Sequence, residues 1–139
     1  MTFHVLDTDT LTLFQEGHPD VSRRFLEKPA DAVAITVLTV EEQLSGWYTQ
    51  VRKAKRPDKL AWAYGRLAAN VRFLSRLQIL PHDEPAILRY EQLRKLKVKI
   101  GKLDLRIAAT VLERAAVLVT RNIRDFQRIP GLRIEDWSS

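Results

Sequence analysis

The chain has 139 residues, of which 45% are hydrophobic and 29% are charged. This balance is typical of a folded globular protein and excludes a disordered chain, and the length predicts one domain over residues 1–139. The absence of cysteine excludes disulfides, thiol catalysis and zinc fingers. Because no run approaches the roughly 20 apolar residues of a membrane span and no signal-like segment is present, we expect a soluble, cytoplasmic protein.

The formal net charge of +6 bears on the partner of the protein. Positive charges concentrate in residues 52–56 and 94–99. Such segments attract polyanions through counterion release, so nucleic acid is a natural partner. Solvated helix ends and loops would explain the same two segments, and charge alone does not decide between these interpretations.

Short apolar runs alternate with longer helical patterns along the chain. Strands are predicted at residues 3–6, 32–36, 78–80, 116–120 and, as an edge strand, 132–134. Helices are predicted from about Pro57, over residues 86–96 and, apolar on most sides, over residues 105–114. Strands separated by helices imply right-handed crossovers. We therefore expect a three-layer α/β/α domain around a central, mainly parallel sheet of four to five strands.

The helical patterns also predict which side chains face the core. For the first two helices, the apolar residues at helical spacing are Leu60, Ala63, Leu67, Val71, Leu74 and Leu77, and then Ile87, Tyr90, Leu93 and Leu96.

Acidic residues stand where helices begin after predicted strands. Asp7 ends the first strand, and Glu42 lies in the first turn after the second strand. Asp104 opens the apolar helix, and Asp125 follows the strand at residues 116–120. Because the functional crevice of a parallel sheet lies beyond the carboxyl ends of its strands, we expect these acids to gather there.

Helix capping would explain each of these acids one at a time. Residues 39–42 match a capping box in which the glutamate reaches back to the threonine amide. Asp7 and Asp104 are candidate N-caps, and Asp125 could stabilise a short helix capped by Asn122. Carboxylates gathered at one edge repel one another, however, and are tolerable only with a neutralising cation. Hard oxygen ligands without cysteine indicate Mg²⁺ or Mn²⁺.

Other chemistries find less support in the sequence. His4 lies on the first strand, while His18 and His82 lie in turns beside prolines, without the spacing of a shared metal site. Neither a nucleophile elbow nor a glycine-rich phosphate loop is present. Trp47 and Tyr48 are either RNA-stacking residues or, more readily, core or dimer-interface residues.

Four segments, in order along the whole chain, resemble PIN-domain proteins of the VapC toxin type. Residues 5–10 look like the opening strand of that family, and residues 39–46 resemble its second motif, an acid four residues before a glycine. Residues 101–109 resemble the third motif. Residues 119–132 resemble the closing segment, which is far more specific than the others.

This resemblance implies that Asp7, Glu42, Asp104 and Asp125 form one acidic quartet that binds metal and carries catalysis. The accessory residues implied are Thr8, Asp9, Thr120 and Asn122. Asp9 stands where the family usually has asparagine, and it either binds metal or caps the helix. Two points stay open, namely whether one or two ions bind and whether Asp125 ligates directly or through water.

The resemblance further implies a Mg²⁺-dependent endoribonuclease, with Mn²⁺ as a substitute, in which metal-activated water cleaves structured RNA of the transfer or ribosomal class. It implies a homodimer and a toxin role, with an antitoxin whose C-terminal segment blocks the acidic pocket. A housekeeping PIN nuclease and a degenerate scaffold without catalysis are the alternatives. The acids at residues 7 and 9 also suggest a HAD-type phosphatase, whose other motifs are missing.

Overall fold

A computed structural model describes residues 2–139. Its centre is a five-stranded sheet in the order β3-β2-β1-β4-β5, in which all neighbouring strands run parallel. The strands are β1 (His4–Leu6), β2 (Val33–Thr36), β3 (Gln78–Leu80), β4 (Val117–Val119) and β5 (Arg133–Glu135). The five predicted strands are therefore present close to their expected bounds, and β5 is an edge strand as predicted.

Helices occupy most of the remaining chain. Their bounds are α1 (Thr8–Gln15), α2 (Pro19–Glu27), α3 (Val37–Lys53), α4 (Pro57–Leu74), α5 (Glu84–Arg94), α6 (Lys102–Glu113) and α7 (Ile123–Phe126), with a 3₁₀ turn at Ala30–Ala32. The turn expected at His18 is instead the start of α2, because Pro19 suits a first helical turn and His18 Nδ1 accepts a hydrogen bond from the amide of Val21.

The side chains of each inner strand alternate between two cores. Val5, Ala34 and Leu118 face one core, which α5 and α6 cover with residues such as Tyr90, Leu93 and Ile107. Leu6, Ile35 and Val119 face the other core, which α1, α2 and α4 cover with Leu11, Val21 and Leu74. Because the sheet is buried on both faces, its strands consist of continuous apolar runs. The arrangement confirms the predicted three-layer α/β/α fold.

At the carboxyl-terminal end of α4, the prediction of which residues face the core is wrong. Val71 is 48% exposed, because α4 packs mainly against α3 as a helical hairpin and buries only a narrow stripe. The helix ends at Leu74, so Leu77 lies beyond it and is half-buried against the second core.

The predicted inward face of α5 needs a similar correction. The helix buries the side that carries Tyr90 and Leu93, which leaves Ile87 exposed. Leu96 follows the last residue of this helix and is also exposed. No helix in the described part of the chain is long and apolar enough to cross a membrane.

Candidate active site

Asp7 stands directly after the central strand, between the carboxyl ends of β2 and β4. Its backbone amide donates a 3.0 Å hydrogen bond to the carbonyl of Val119, and its Oδ1 accepts a 2.9 Å bond from the amide of Thr10. The side chain therefore caps α1, as its position predicts. Burial raises the pKa of this carboxyl, although hydrogen bonds from Thr120 and Thr10 oppose the rise. Capping occupies only one carboxylate oxygen, so it does not exclude that Asp7 also binds a metal ion.

Asp104 is not a helix cap, contrary to one interpretation of its position. The N-cap of α6 is Gly101, and Asp104 is the third residue of the helix, half-buried. Its pKa is raised to about 6, first by burial and then by neighbouring negative charges. Those charges belong to Asp7, Glu42, Asp9 and Asp125. The charges of the other three predicted acids and of Asp9 thus all act on Asp104, and we refer to these five residues as the acidic cluster.

Glu42 lies on α3 and faces α1. Its Oε1 accepts a 2.5 Å hydrogen bond from the Thr8 hydroxyl, which also lies 3.1 Å from the hydroxyl of Thr39. The capping box predicted here is wrong, because α3 begins directly after β2 with Thr36 as its cap, accepting from the amide of Thr39. Glu42 is therefore in the second turn, not the first, and its carboxylate is bonded to Thr8 and not to the backbone of α3. The sequence pattern indicates only a capping role for Thr39 and does not predict its contact with Thr8.

Asp125 lies at the margin of the cluster. Asn122 Nδ2 donates a 2.9 Å bond to its Oδ2, while Arg128 approaches its other oxygen at 4.0 Å. Asn122 occupies the N-cap position of α7, but its side chain makes no capping bond. Its backbone amide donates instead to the hydroxyl of Thr120 at 2.9 Å. Of the four charges that raise the pKa of Asp104, that of Asp125 contributes least.

Carboxylate oxygens are the donors that this cluster offers to a cofactor. Within residues 2–139, no group of three or more histidine, aspartate or glutamate side chains is placed so that it could hold a metal ion. Local hydrogen bonds hold the acids instead, as between Glu42 and Thr8. Within the described part of the chain, the named causes of the raised pKa of Asp104 are burial and negative charges, with no cation among them. The carboxylate donors and their negative charge suit a hard divalent cation, but the side chains of Asp7, Glu42 and Asp104 would have to move closer together to hold one.

These features define the class of the protein as a parallel α/β protein with a carboxylate cluster at the end of its central strand. Residues 4–132 match the PIN domain family. The tRNA(fMet)-specific endonuclease VapC of Salmonella typhimurium is 31% identical over 137 residues, 96% of each chain. Ribonuclease VapC2 of Rickettsia felis is 33% identical over 140 residues, 96% of this chain and 97% of the relative. The chain belongs to the PIN-domain family, among its VapC members, which confirms the resemblance seen in the sequence.

Solved structures agree with this assignment. The structure of DNA-bound VapBC from Salmonella typhimurium matches with a TM-score of 0.78 and 32% identity, covering 99% of both chains. The structure of VapBC2 from Rickettsia felis, bound to a DNA fragment from its promoter, matches with a TM-score of 0.74 and 30% identity over 98% of this chain and 99% of that one. The similarity thus extends over essentially the whole chain.

Proposed function

We propose that this protein is a metal-dependent endoribonuclease, with residues 1–139 as one nuclease domain. The observation that carries the proposal is the cluster of like charges around Asp104 at the carboxyl end of the central strand. Asp7, Glu42, Asp104 and Asp125 are its catalytic residues and metal ligands, with Mg²⁺ as the cofactor and Mn²⁺ as the substitute. Relatives that match over nearly their whole length are named a tRNA(fMet)-specific endonuclease and a ribonuclease, which supports the same activity.

The residues of the chain have separable roles in the reaction. Bound Mg²⁺ would supply a Lewis acid and lower the pKa of a water molecule. Asp7 provides a fixed carboxylate, because the amide of Thr10 holds one of its oxygens. Asp104 remains largely ionised at neutral pH, since its raised pKa of about 6 still lies below 7. Thr8 orients Glu42, and Thr120 supports Asp7.

RNA is the substrate that the charge distribution and the relatives support. The basic residues 52–56 end α3 and lead into α4. Lys53, Lys55 and Lys59 line a cavity of about 260 Å³ together with Trp62, and no ion pair within residues 2–139 involves these lysines. Such a basic surface binds backbone phosphates without reading sequence. We assign the substrate to structured RNA of the transfer or ribosomal class, as the name of the Salmonella relative suggests.

The biological role that we propose is that of the toxin in a toxin–antitoxin pair. The similar solved structures include VapBC assemblies and a toxin–antitoxin complex from Klebsiella pneumoniae at 25% identity. The partners would be a second copy of the chain and an antitoxin whose C-terminal segment blocks the acidic pocket. Exposed aromatic residues at Tyr48, Trp62 and Tyr64 offer apolar surface for such partners. The toxin would act in the cytoplasm, where its RNA substrates are found.

A degenerate scaffold is the weaker alternative, because all four acidic positions retain their carboxylates and lie in one cluster. A housekeeping PIN nuclease would share the site and the chemistry. Expression without a partner separates the two roles. The toxin should arrest growth, whereas harmless overexpression of active protein would favour housekeeping processing.

Metal dependence is the direct test of the activity. Purified protein should cleave bulk transfer RNA in Mg²⁺ or Mn²⁺ and lose cleavage when EDTA is in excess. Restoring activity by adding Mg²⁺ back separates metal loss from unfolding. Full cleavage in excess EDTA would contradict the proposed mechanism.

A further inference from the structure

A separate cavity lies at the same edge of the sheet as the acidic cluster. It measures about 330 Å³ and is lined by Leu38, His82, Ile87, Tyr90, Glu91 and Arg106. His82 follows β3, so it lies at the carboxyl edge that also carries the acids. Leu38 precedes Glu42 by one helical turn on α3, about 6 Å along the axis. Arg106 follows Asp104 by two residues on α6. The helices α3 and α6 thus each contribute one residue to the cavity and one to the acidic cluster.

His82 presents a hydrogen-bond acceptor to this cavity. The hydroxyl of Thr110 donates to the carbonyl of Arg106 at 3.0 Å, so its hydrogen is already committed. His82 Nδ1 lies 3.0 Å from the same hydroxyl and must therefore be the donor in that pair. The other ring nitrogen, Nε2, keeps its lone pair. Burial, followed by the charge of Arg106, lowers the pKa of His82, which favours the neutral ring.

Arg106 presents hydrogen-bond donors beside that acceptor. Its guanidinium carbon lies 4.9 Å from the ring centre of Tyr90, which is itself buried. A guanidinium over an aromatic ring is held there by a cation–π interaction, and its N–H groups remain available as donors. No ion pair within residues 2–139 occupies Arg106. The cavity therefore combines an oriented donor group, an oriented acceptor and the apolar side chains of Leu38 and Ile87.

A nucleobase matches this combination better than a phosphate does. The edges of the bases carry donors and acceptors side by side, and unpaired bases in RNA are read at those edges. A phosphate diester offers only acceptors, so it would leave His82 Nε2 without a partner. The carboxylate of Glu91, which also lines the cavity, would repel a phosphate.

We propose that this cavity is a base-recognition subsite that takes an unpaired nucleobase next to the scissile phosphate of the RNA. His82 Nε2 accepts from an N–H of the base, and Arg106 donates to a neighbouring acceptor on it. The proposal rests on the ribonuclease function proposed above and adds to it two residues that determine specificity.

The first experiment measures the nucleotide preference around the cleavage site. A stem-loop RNA with a randomised ten-nucleotide loop is cleaved with Mg²⁺, and the product ends are sequenced. The unsubstituted protein should show a preference at one flanking position, which His82→Ala and Arg106→Met reduce about tenfold. Arg106→Lys keeps the charge but not the planar donor group, so it should lose the preference as well.

Arg89→Met is the matched control. Arg89 lies on α5, pairs with Glu113 and lines a different cavity. Its loss should leave the preference unchanged. Thermal denaturation of each variant identifies any that fails to fold, and the remaining substitutions at His82 or Arg106 then decide the question. An unchanged preference in folded His82→Ala and Arg106→Met would overturn the subsite, as would the absence of any flanking preference in the unsubstituted protein.

A second experiment pairs the protein change with an RNA change. Removing the base at the preferred position should lower kcat/KM about tenfold for the unsubstituted protein and much less for His82→Ala. Equal losses in both proteins would contradict the contact. If the unsubstituted protein cleaves no RNA, the proposed function fails. Binding of the intact and abasic RNA to Asp104→Asn then decides the subsite, with equal affinities counting against it.

Discussion

The hydroxyl of Thr8 donates a 2.5 Å hydrogen bond to the carboxylate of Glu42 and so joins the start of α1 to the second turn of α3. A hydroxyl bonded to a carboxylate at this distance is a strong, charge-assisted contact. Glu42 is exposed and has no other side-chain hydrogen bond within residues 2–139. Thr8 is therefore the residue that directs this carboxylate to the acidic cluster.

Removing the Thr8 hydroxyl should weaken catalysis without unfolding the protein. In Thr8→Val, Glu42 loses its donor, and we expect kcat to fall about tenfold and the affinity for Mg²⁺ to fall similarly, with little change in KM for RNA. Thr8→Ser should retain most of the activity. Thr49→Val is the matched control, because among residues 2–139 the Thr49 hydroxyl bonds only to Ser45 and Arg52, both at the far end of α3. Undiminished kcat in Thr8→Val would show that Glu42 needs no positioning by Thr8.

Neutralising the central acids should abolish cleavage. Asp7→Asn and Asp104→Asn keep the size of each side chain and remove the charge that would hold the metal. We expect kcat/KM to fall by more than roughly a hundredfold in either variant, measured on transfer RNA with saturating Mg²⁺. Asp20→Asn serves as control, since Asp20 is on α2 and pairs with Arg23. Substantial cleavage by Asp104→Asn would remove it from the catalytic set.

The charge of Asp104 should destabilise the metal-free protein. Its pKa is about 6 in the folded chain and 3.8 in a model peptide, so the folded state binds the proton more readily. The ionised form therefore costs stability above pH 6, and this cost disappears as the pH falls from 6 towards 4. The pKa difference sets an upper limit of about 3 kcal/mol, which partial exposure of the side chain reduces to about 1 kcal/mol.

Because of this cost, removing the carboxylate of Asp104 should stabilise the metal-free protein instead of destabilising it. In EDTA at pH 7, Asp104→Asn should melt about 3 °C above the unsubstituted protein, and the difference should vanish near pH 4. Added Mg²⁺ should raise the melting temperature of the unsubstituted protein and raise that of the variant much less. A variant that is less stable than the unsubstituted protein in EDTA would show that the carboxylate has a structural role.

The sequence predicts the structural features that depend only on residues close to one another along the chain. The apolar run before Asp7 forms a buried strand as expected, and Asp7 caps the following helix because cap and amide are only three residues apart. The partner of Glu42 was not predictable in this way, since it lies 34 residues away and depends on how α1 packs against α3. The exposure of Val71 has the same origin, because it depends on the position of α4 relative to the sheet.

The basic surface at the end of α3 should contribute a defined part of the affinity for RNA. Changing Lys53, Lys55 and Lys59 together to glutamine removes three cations that line one cavity with Trp62. In the inactive Asp104→Asn background, the slope of log affinity against log salt should become shallower by about 2, since each lost phosphate contact changes it by roughly 0.7.

A second triple variant tests whether the affinity for RNA depends on where the lysines lie or only on the net charge of the protein. Replacing Lys95, Lys97 and Lys99 with glutamine removes the same charge from the segment that follows α5. Long-range attraction alone would make the two triple variants equal in their salt dependence. If RNA contacts the end of α3 directly, the variant that lacks Lys53, Lys55 and Lys59 should show the larger decrease in slope. The slope reports only the counterions that are released where lysines bind phosphates. Equal slopes would therefore assign the effect to net charge and leave this surface without a specific role.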